Sequence, residues 1–497
     1  MKELSEQNKK LLKILRRGGY YSKILLILAV LGCVPLAVIP FYRSDVRYVH
    51  AFLLPVLIYC GLAFVFALFI KEKPPTRQYI SPVVSASVPV IFAWGAAILL
   101  GALPFVFGGR LGFARALFES TSGWTTTGLT VVNADELPAI FLLHRAFMQY
   151  AGGLGFIVIM GILLEGRRIT GLYNAEGHPE GLMPNLRRTS MAITLIYLVS
   201  LVLGTVAYVI AKMPVFDAIC HTMSALSTAG FSTRNANIGA YGSLPVELIS
   251  IVLMLIGMTN FAALLLFASL RLKRLFAMTE VRFLGKVLLV TIPLTALSLF
   301  FSAKLGVLRS IRDSAFAVVS ILSTTGFSTA DYSVYPAFAV GISLILMIIG
   351  GMTGSTAGGI KLLRTSVLIR ATKANIAKRL SSSNKVTVLR YTRPNGAANI
   401  DGKLIYDTYE FVAVYLAIIV AGTLLVTLFS GATLYDAFYE FTSAIGTIGV
   451  SNGLSAQTNV PTLLVLIFGM ILGRLEMYIV FIGIAEGIRR TVKRIGK

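Results

Sequence analysis

Four short stretches of this chain place the same oxygen-bearing residues at the same spacing. They read Ser122-Gly-Trp-Thr-Thr-Thr-Gly128-Leu-Thr130, Ser224-Ala-Leu-Ser-Thr-Ala-Gly230-Phe-Ser232, Ser320-Ile-Leu-Ser-Thr-Thr-Gly326-Phe-Ser328 and Ser443-Ala-Ile-Gly-Thr-Ile-Gly449-Val-Ser451. Every copy has Ser six residues before a Gly and Thr two before it, then an apolar and a hydroxyl residue after it. The chemistry open to such a pattern is the replacement of an alkali cation's water shell by rings of backbone carbonyls. Turning successive carbonyls to one side needs unusual φ and ψ, which Gly adopts without a Cβ clash. Neighbouring Thr and Ser hydroxyls add oxygens or brace the backbone.

Such loops need elements to hold them at depth. Of 497 residues, 56% are hydrophobic and 13% charged, with a mean hydropathy of +0.79. Soluble domains carry about 25% charged residues, so the chain belongs to the membrane class. Residues 22–42 and 51–70 are each long enough to span a hydrocarbon core of ~30 Å. A larger unit then recurs four times: a long apolar helix, a short segment ending in the Ser/Thr/Gly motif, and a second long apolar helix. The first helices are expected near 84–107, 190–211, 287–303 and 408–430, and the second near 138–165, 245–270, 336–371 and 461–488. The predicted fold is an all-α polytopic membrane protein of four helix–pore loop–helix repeats around a central pore, plus two N-terminal transmembrane helices. The units divide as 1–79 for the N-terminal pair, 80–188, 189–284, 285–403 and 404–497 for the four repeats. Non-helical backbone survives at membrane depth only where it lines a cavity or is buried in protein, so four loops imply one shared cavity.

The net charge of +23 follows the topology. About 34 of the 45 basic residues crowd into Met1–Lys23, Lys71–Arg77, Arg167–Arg188, Arg271–Lys286, Lys361–Lys403 and Arg489–Lys497. With the N-terminus cytoplasmic, all of these fall on the cytoplasmic side. Both termini are then cytoplasmic, membrane lipids face the basic loops, and nucleic acid is not the partner. Cys33, Cys60 and Cys220 read as small buried hydrophobes. The basic stretch before the first apolar run suggests a signal peptide, but the run is too long and no small-residue cleavage site follows.

Each short segment should be a helix aiming its negative dipole end inward, where it favours a cation. Asp217, Asp313 and Asp436 stand thirteen residues before their Gly, at the expected helix starts, whereas the first copy has Arg115 there. The units are therefore unequal.

On these motifs the chain resembles the Trk/Ktr/HKT superfamily of cation transporters, and within it the Trk-type potassium uptake membrane subunit, over nearly its whole length. The resemblance implies a potassium selectivity filter of Thr126, Thr127, Gly128, Thr228, Ala229, Gly230, Thr324, Thr325, Gly326, Thr447, Ile448 and Gly449. Potassium would be held at Thr126, Thr127, Thr228, Ala229, Thr324, Thr325, Thr447 and Ile448. Members with Ser at the first filter glycine tend to prefer sodium, so Gly128 supports potassium. The broken stretch 350–361, with Gly350, Gly351, Gly354, Gly358 and Gly359, resembles the family's intramembrane gating loop. A nucleotide P-loop is excluded by spacing, because Ile360 stands where a Lys is required. Arg474, an intramembrane charge expensive enough to imply a function, would contact that loop. The alternative is a structural pair with Glu476, although residues two apart on a helix do not face each other.

The resemblance also implies a homodimer, a cytoplasmic nucleotide-binding regulatory subunit of the Trk type, the cytoplasmic (inner) membrane of a prokaryote, K+ as transported ion and no covalently bound cofactor. His50, His144, His178 and His221 read as scattered side chains. Gln149-Tyr-Ala-Gly-Gly-Leu-Gly155 reads as small-residue helix packing, and Asp135 and Asp331 stand just beyond filters. An intramembrane enzyme finds no paired acids, nucleophile with base, or metal cluster. A two-halved transporter with inverted repeats does not match four pore loops. A sodium-permeable relative remains open.

Overall fold

The computed structural model describes residues 19–69, 82–154, 186–332, 335–380, 388–394 and 396–495. The remainder of the expected helix 138–165, the basic stretch 71–77, most of the stretches 1–23 and 167–188, His178 and Gly155 lie outside the described residues.

The N-terminal pair forms as Tyr20–Gly32, continued by a 3-10 turn at Val34–Val38, and Val49–Phe69. The first helices of the four units are Pro82–Phe107, Leu186–Ile210, Thr279–Ser302 and Gly402–Ser430. Each is followed by a short helix, namely Phe113–Trp124, Val215–Leu226, Val307–Leu322 and Leu434–Ile445. Among the described residues six helices are long and apolar enough to cross a membrane, or eight if each of two bent pairs counts as one span. Outward residues such as Leu195, Val202, Leu203 and Ile210 lie exposed along the second unit's first helix, as lipid contact requires. The ends of the short helices are buried. A two-stranded hairpin, Arg390–Arg393 with Gly396–Asn399, is the one β-sheet among the described residues.

The units close into a ring. Each second helix packs against the short helix of the next unit: Ala139–Leu154 on Val215–Leu226, Leu244–Gly257 on Val307–Leu322, Ala337–Ile349 on Leu434–Ile445, and Val460–Arg474 back on Phe113–Trp124. Chain order and spatial order therefore coincide around one axis.

Two expected second helices are not continuous. The stretch 245–270 bends by 111° between Gly257 and Phe261, and 461–488 bends by 107° between Arg474 and Met477. The third ends as expected, at Gly350 with φ +70°, and resumes at Leu362–Arg379. The other two breaks are not evident from the sequence, because Met258-Thr259-Asn260 and Leu475-Glu476 carry no glycine run and interrupt long apolar stretches only briefly. The local chemistry supports them: the Asn260 side chain accepts the Ala262 N–H to cap a new helix, and Glu476 takes φ +50°. Gly152, Gly257 and Gly473 sit where a second helix presses on the end of its own short helix. A Cβ there would lie 2.0 Å from Trp124 O, 2.6 Å from Leu226 O and 1.9 Å from Ile445 O.

This predicts a contrast between two substitutions read by thermal unfolding in detergent. Gly473→Ala must displace backbone and should lower the midpoint by several degrees. Gly61→Ala, on an outer helix with nothing within 4 Å of the new methyl, should leave it unchanged or raise it slightly, by the ~1 kcal/mol that Ala gains over Gly in a helix.

Candidate functional site: four re-entrant loops on one axis

All four short helices end in the same turn. The residue two before the Gly donates to the carbonyl three before itself: Thr126 N to Gly123 O at 3.1 Å, Thr228 N to Ala225 O at 3.1 Å, Thr324 N to Ile321 O at 3.0 Å and Thr447 N to Ala444 O at 3.2 Å. The next residue donates to the carbonyl of the motif's Ser: Thr127 N to Ser122 O at 2.9 Å, with Ala229, Thr325 and Ile448 each 3.0 Å from Ser224, Ser320 and Ser443 O. This is the Schellman helix end, in which the residue after the cap takes the left-handed conformation and is usually Gly. Here it is Thr every time, at φ +55°, +50°, +57° and +51°. A β-branched residue at positive φ is a true outlier, costing on the order of 1 kcal/mol or more, and such strain collects at functional sites. The Gly two residues later is also at positive φ, +94°, +84°, +73° and +87°.

The glycines show how closely the loops meet. A Cβ on Gly128 would lie 2.3 Å from Ala229 O, on Gly230 2.1 Å from Thr325 O, on Gly326 1.9 Å from Ile448 O, and on Gly449 2.2 Å from Thr127 O. Each glycine thus abuts the carbonyl of the next unit, and the fourth closes on the first. Four carbonyls, of Thr127, Ala229, Thr325 and Ile448, stand in one ring. The glycines also line a common mouth cavity of about 190 Å³, together with Arg145 and Asp331. Asp135 belongs to a neighbouring cavity instead.

The motif's Ser has a job in three copies. Ser122 Oγ and Ser443 Oγ accept the N–H of Gly128 and Gly449 at 3.0 and 3.1 Å, and Ser320 Oγ donates to Phe327 O at 2.6 Å. Ser224 Oγ is buried without a partner among the described residues. The hydroxyl two after the Gly binds back to a polar side chain on the short helix, eleven residues earlier. Thr130 donates to Glu119 Oε1 at 2.9 Å, Ser451 donates to Glu440 at 2.9 Å, and Ser232 Oγ lies 2.9 Å from His221 Nε2. The third unit has Ala317 at that place. Sequence reasoning passes over Glu119 and Glu440 and takes His221 as scattered, though a polar residue nine before the Gly in three of the four copies is a visible signal. Arg145 was missed too. It is 2% exposed, pairs with Glu119 at 2.8 Å, donates to Ser232 O at 3.1 Å and stacks on Phe231 at 4.0 Å.

Two of the three expected N-terminal acids, Asp217 and Asp436, stand in the first turns of their short helices, and their side chains also reach beyond the helix. Asp217 binds the strand after its own filter, accepting from Thr233 at 2.8 Å and Tyr241 at 2.9 Å. Thr433, not Asp436, caps the fourth short helix, and Asp436 accepts from Asn452 at 2.8 Å. The third short helix starts at Val307, so Asp313 lies inside it, 3.5 Å from Arg309.

On the side away from the mouth, the stretch 350–361 lies against the loops. Thr356 Oγ1 is 3.0 Å from Thr228 Oγ1, the Gly358 N–H donates to Thr324 Oγ1 at 2.9 Å, and a Cβ on Gly358 would lie 2.3 Å from Gly446 O and Thr447 Oγ1. Gly350 and Gly359 are at φ +70° and +78° and pack on each other, and a Cβ on Gly351 would meet Ala357 at 2.4 Å. Gly354, at φ +72°, offers its carbonyl to Phe261 N at 3.1 Å. Arg474 donates to Thr356 O at 2.7 Å and to Gly152 O at 2.5 Å, fastening this stretch to the first unit. Glu476 accepts from Arg364 at 2.8 Å. Only about 30 Å³ remains in the cavity among Gly358, Gly359, Lys361 and Arg474.

These features define a polytopic membrane protein of the pore-loop class, with four re-entrant loops meeting on one axis. The chain belongs to the TrkH family, described as cation transport protein, whose sequence profile matches residues 62–486. It is 32% identical over 408 residues to the Trk system potassium uptake protein TrkH of Halomonas elongata, covering 78% of this chain and 82% of that one. It is 30% identical over 480 residues to the TrkH of Vibrio parahaemolyticus, covering 92% and 96%. The crystal structure of the potassium transporter TrkH from Vibrio parahaemolyticus superposes with a TM-score of 0.80 at 26% identity, covering 93% of this chain and 96% of that one. The family is one of transporters rather than enzymes.

Buried carboxylates holding the loops give a second prediction. Glu440 Oε1 and Oε2 serve Ser451, the Asn452 N–H and the Ser455 N–H. Glu440→Ala orphans these donors and should cost on the order of 3 kcal/mol, seen as a thermal midpoint several degrees below that of the unsubstituted protein.

Proposed function

We propose that this protein takes up potassium through the carbonyl ring of its four loops. The observation that carries the reading is the closed ring of Thr127, Ala229, Thr325 and Ile448 carbonyls, each seated against the glycine of the preceding unit. Below the ring stand four Thr hydroxyls. Those of Thr126 and Thr447 are buried without partners among the described residues, which suits oxygens meant for a dehydrated cation. The carbonyl and Thr positions 126, 127, 228, 229, 324, 325, 447 and 448 are the proposed potassium ligands, with Gly128, Gly230, Gly326 and Gly449 shaping the filter. The repeats take the boundaries 80–188, 189–284, 285–403 and 404–497, after an N-terminal pair within 1–79.

In this reading the stretch 350–361 is a gate. It engages Thr228 and Thr324 and abuts Thr447, occupying the hydroxyls a descending ion would use, and Arg474 latches it. The gate continues directly into Leu362–Arg379, which ends in Lys378 and Arg379. A cytoplasmic nucleotide-binding subunit gripping that basic helix would pull on the gate without entering the membrane. The proposal extends to such a partner, a dimeric assembly, the cytoplasmic membrane of a prokaryote and cytoplasmic termini, as the family resemblance of the motifs implies.

The test is cation flux into proteoliposomes, comparing potassium, rubidium, sodium and lithium. Potassium and rubidium should pass in preference to sodium. Gly128→Ser places a Cβ 2.3 Å from Ala229 O, so it must open the ring and should lower the potassium-to-sodium ratio by about tenfold, the effect of ~1.4 kcal/mol. Equal sodium flux in the unsubstituted protein would replace this reading with that of a sodium-permeable family member. Arg474→Ala removes the latch and should raise potassium flux several-fold while leaving the ratio unchanged; unaltered or lower flux would sink the gate.

A further inference from the structure

One carbonyl of the ring is treated unlike the other three. Counting back three residues from Gly152, Gly257, Gly350 and Gly473, which stand at matching places in the second helices, gives Gln149, Met254, Met347 and Met470. All four side chains are fully or almost fully buried behind the loops. Three are thioethers that only fill space. The fourth is an amide. Gln149 Nε2 donates to Ala229 O at 2.8 Å, and Gln149 Oε1 accepts from Phe231 N at 3.2 Å. The Phe231 N–H can only donate, so it fixes which end of the amide faces Ala229. The first unit's second helix thus clamps the second unit's loop on both sides of Gly230.

The second loop needs this support more than two of its neighbours. Thr127 and Thr325 carry hydroxyls that brace their own helix ends, 2.8 Å from Thr125 Oγ1 and 2.7 Å from Ser323 Oγ. Ala229 has no side-chain oxygen for such a brace. An amide donor changes more than position. A carbonyl oxygen that already accepts an N–H is pinned in direction and offers a cation a weaker field, and field strength and rigidity of the coordinating dipoles govern discrimination between alkali ions.

We propose that Gln149 is a specificity-determining positioning residue: it holds the Ala229 carbonyl in the ring and, through it, sets the preference for potassium over sodium. The proposal rests on the potassium reading given above and deepens it. Gln149→Met installs what stands at the three matching positions and should fold. Gln149→Glu keeps the size and an acceptor for the Phe231 N–H and, read at alkaline pH where its carboxylate is ionised, lacks the donor.

Two readouts are compared for the unsubstituted protein and both variants: the potassium-to-sodium flux ratio in proteoliposomes, and the difference in thermal midpoint between potassium and sodium chloride in detergent. In either variant the flux ratio should fall roughly fivefold, the effect of losing one ordinary hydrogen bond. The potassium-specific part of the thermal stabilisation should shrink with it. A purely packing role would lower the midpoint equally in both salts and leave the ratio intact, which overturns the proposal. A fall in Gln149→Met but not in Gln149→Glu also overturns it, because the Phe231 contact alone would then matter. If the unsubstituted protein shows no potassium preference, the potassium reading fails first and this role falls with it.

Discussion

Each short helix stops in the interior of an apolar slab, and a helix that stops leaves its last carbonyls without partners. In water they would be solvated. At membrane depth they must be met by protein or by whatever fills a cavity. The Schellman turn meets two per helix, at the cost of left-handed Thr at 126, 228, 324 and 447. The carbonyls that follow, at Thr127, Ala229, Thr325 and Ile448, turn toward the adjoining loop and lie so close to its glycine that no side chain fits there. The rest of the molecule serves this arrangement. Second helices press their own glycines onto the helix ends, and Glu119, His221 and Glu440 hold the outgoing strands so that the ring cannot splay.

Four-fold recurrence made much of this legible before any coordinates. The motif carried its own register, so loops, helix order and the single shared cavity could be read from residue types alone. The glycine-rich 350–361 stretch announced its break because five glycines in ten residues cannot stay helical. What stayed hidden lacked a local signature. The bends near Gly257 and Arg474 carry no run of glycines, and a single capping Asn260 or a single Glu476 at positive φ marks them. Gln149 looked like part of a small-residue packing stretch because its partner is on another unit, eighty residues away. Arg145 lay within a largely apolar run, after His144, and the buried Glu119 on a different helix explains how a guanidinium is tolerated there.

The inequality of the units follows from carrying four copies in one chain. Identical subunits would have to repeat every device four times, and a loop plugging the axis four times over has no room. With four separately encoded copies, the third unit inserts 350–361 beneath the ring, and the fourth supplies the arginine that ties it to the first. The latch spans units that are farthest apart in sequence yet adjacent in the ring, so it forms only once the ring has closed.

The same logic places the strain. Thr at the left-handed position is worse than Gly for the turn, yet only Thr adds a hydroxyl beneath each carbonyl. Two of those hydroxyls are engaged by the 350–361 stretch, while those of Thr126 and Thr447 keep no partner among the described residues. A purely structural turn would have chosen Gly and avoided both the backbone cost and the orphaned oxygens. Four strained threonines with half their hydroxyls unspent fit the proposal that a cation is bound there in transit.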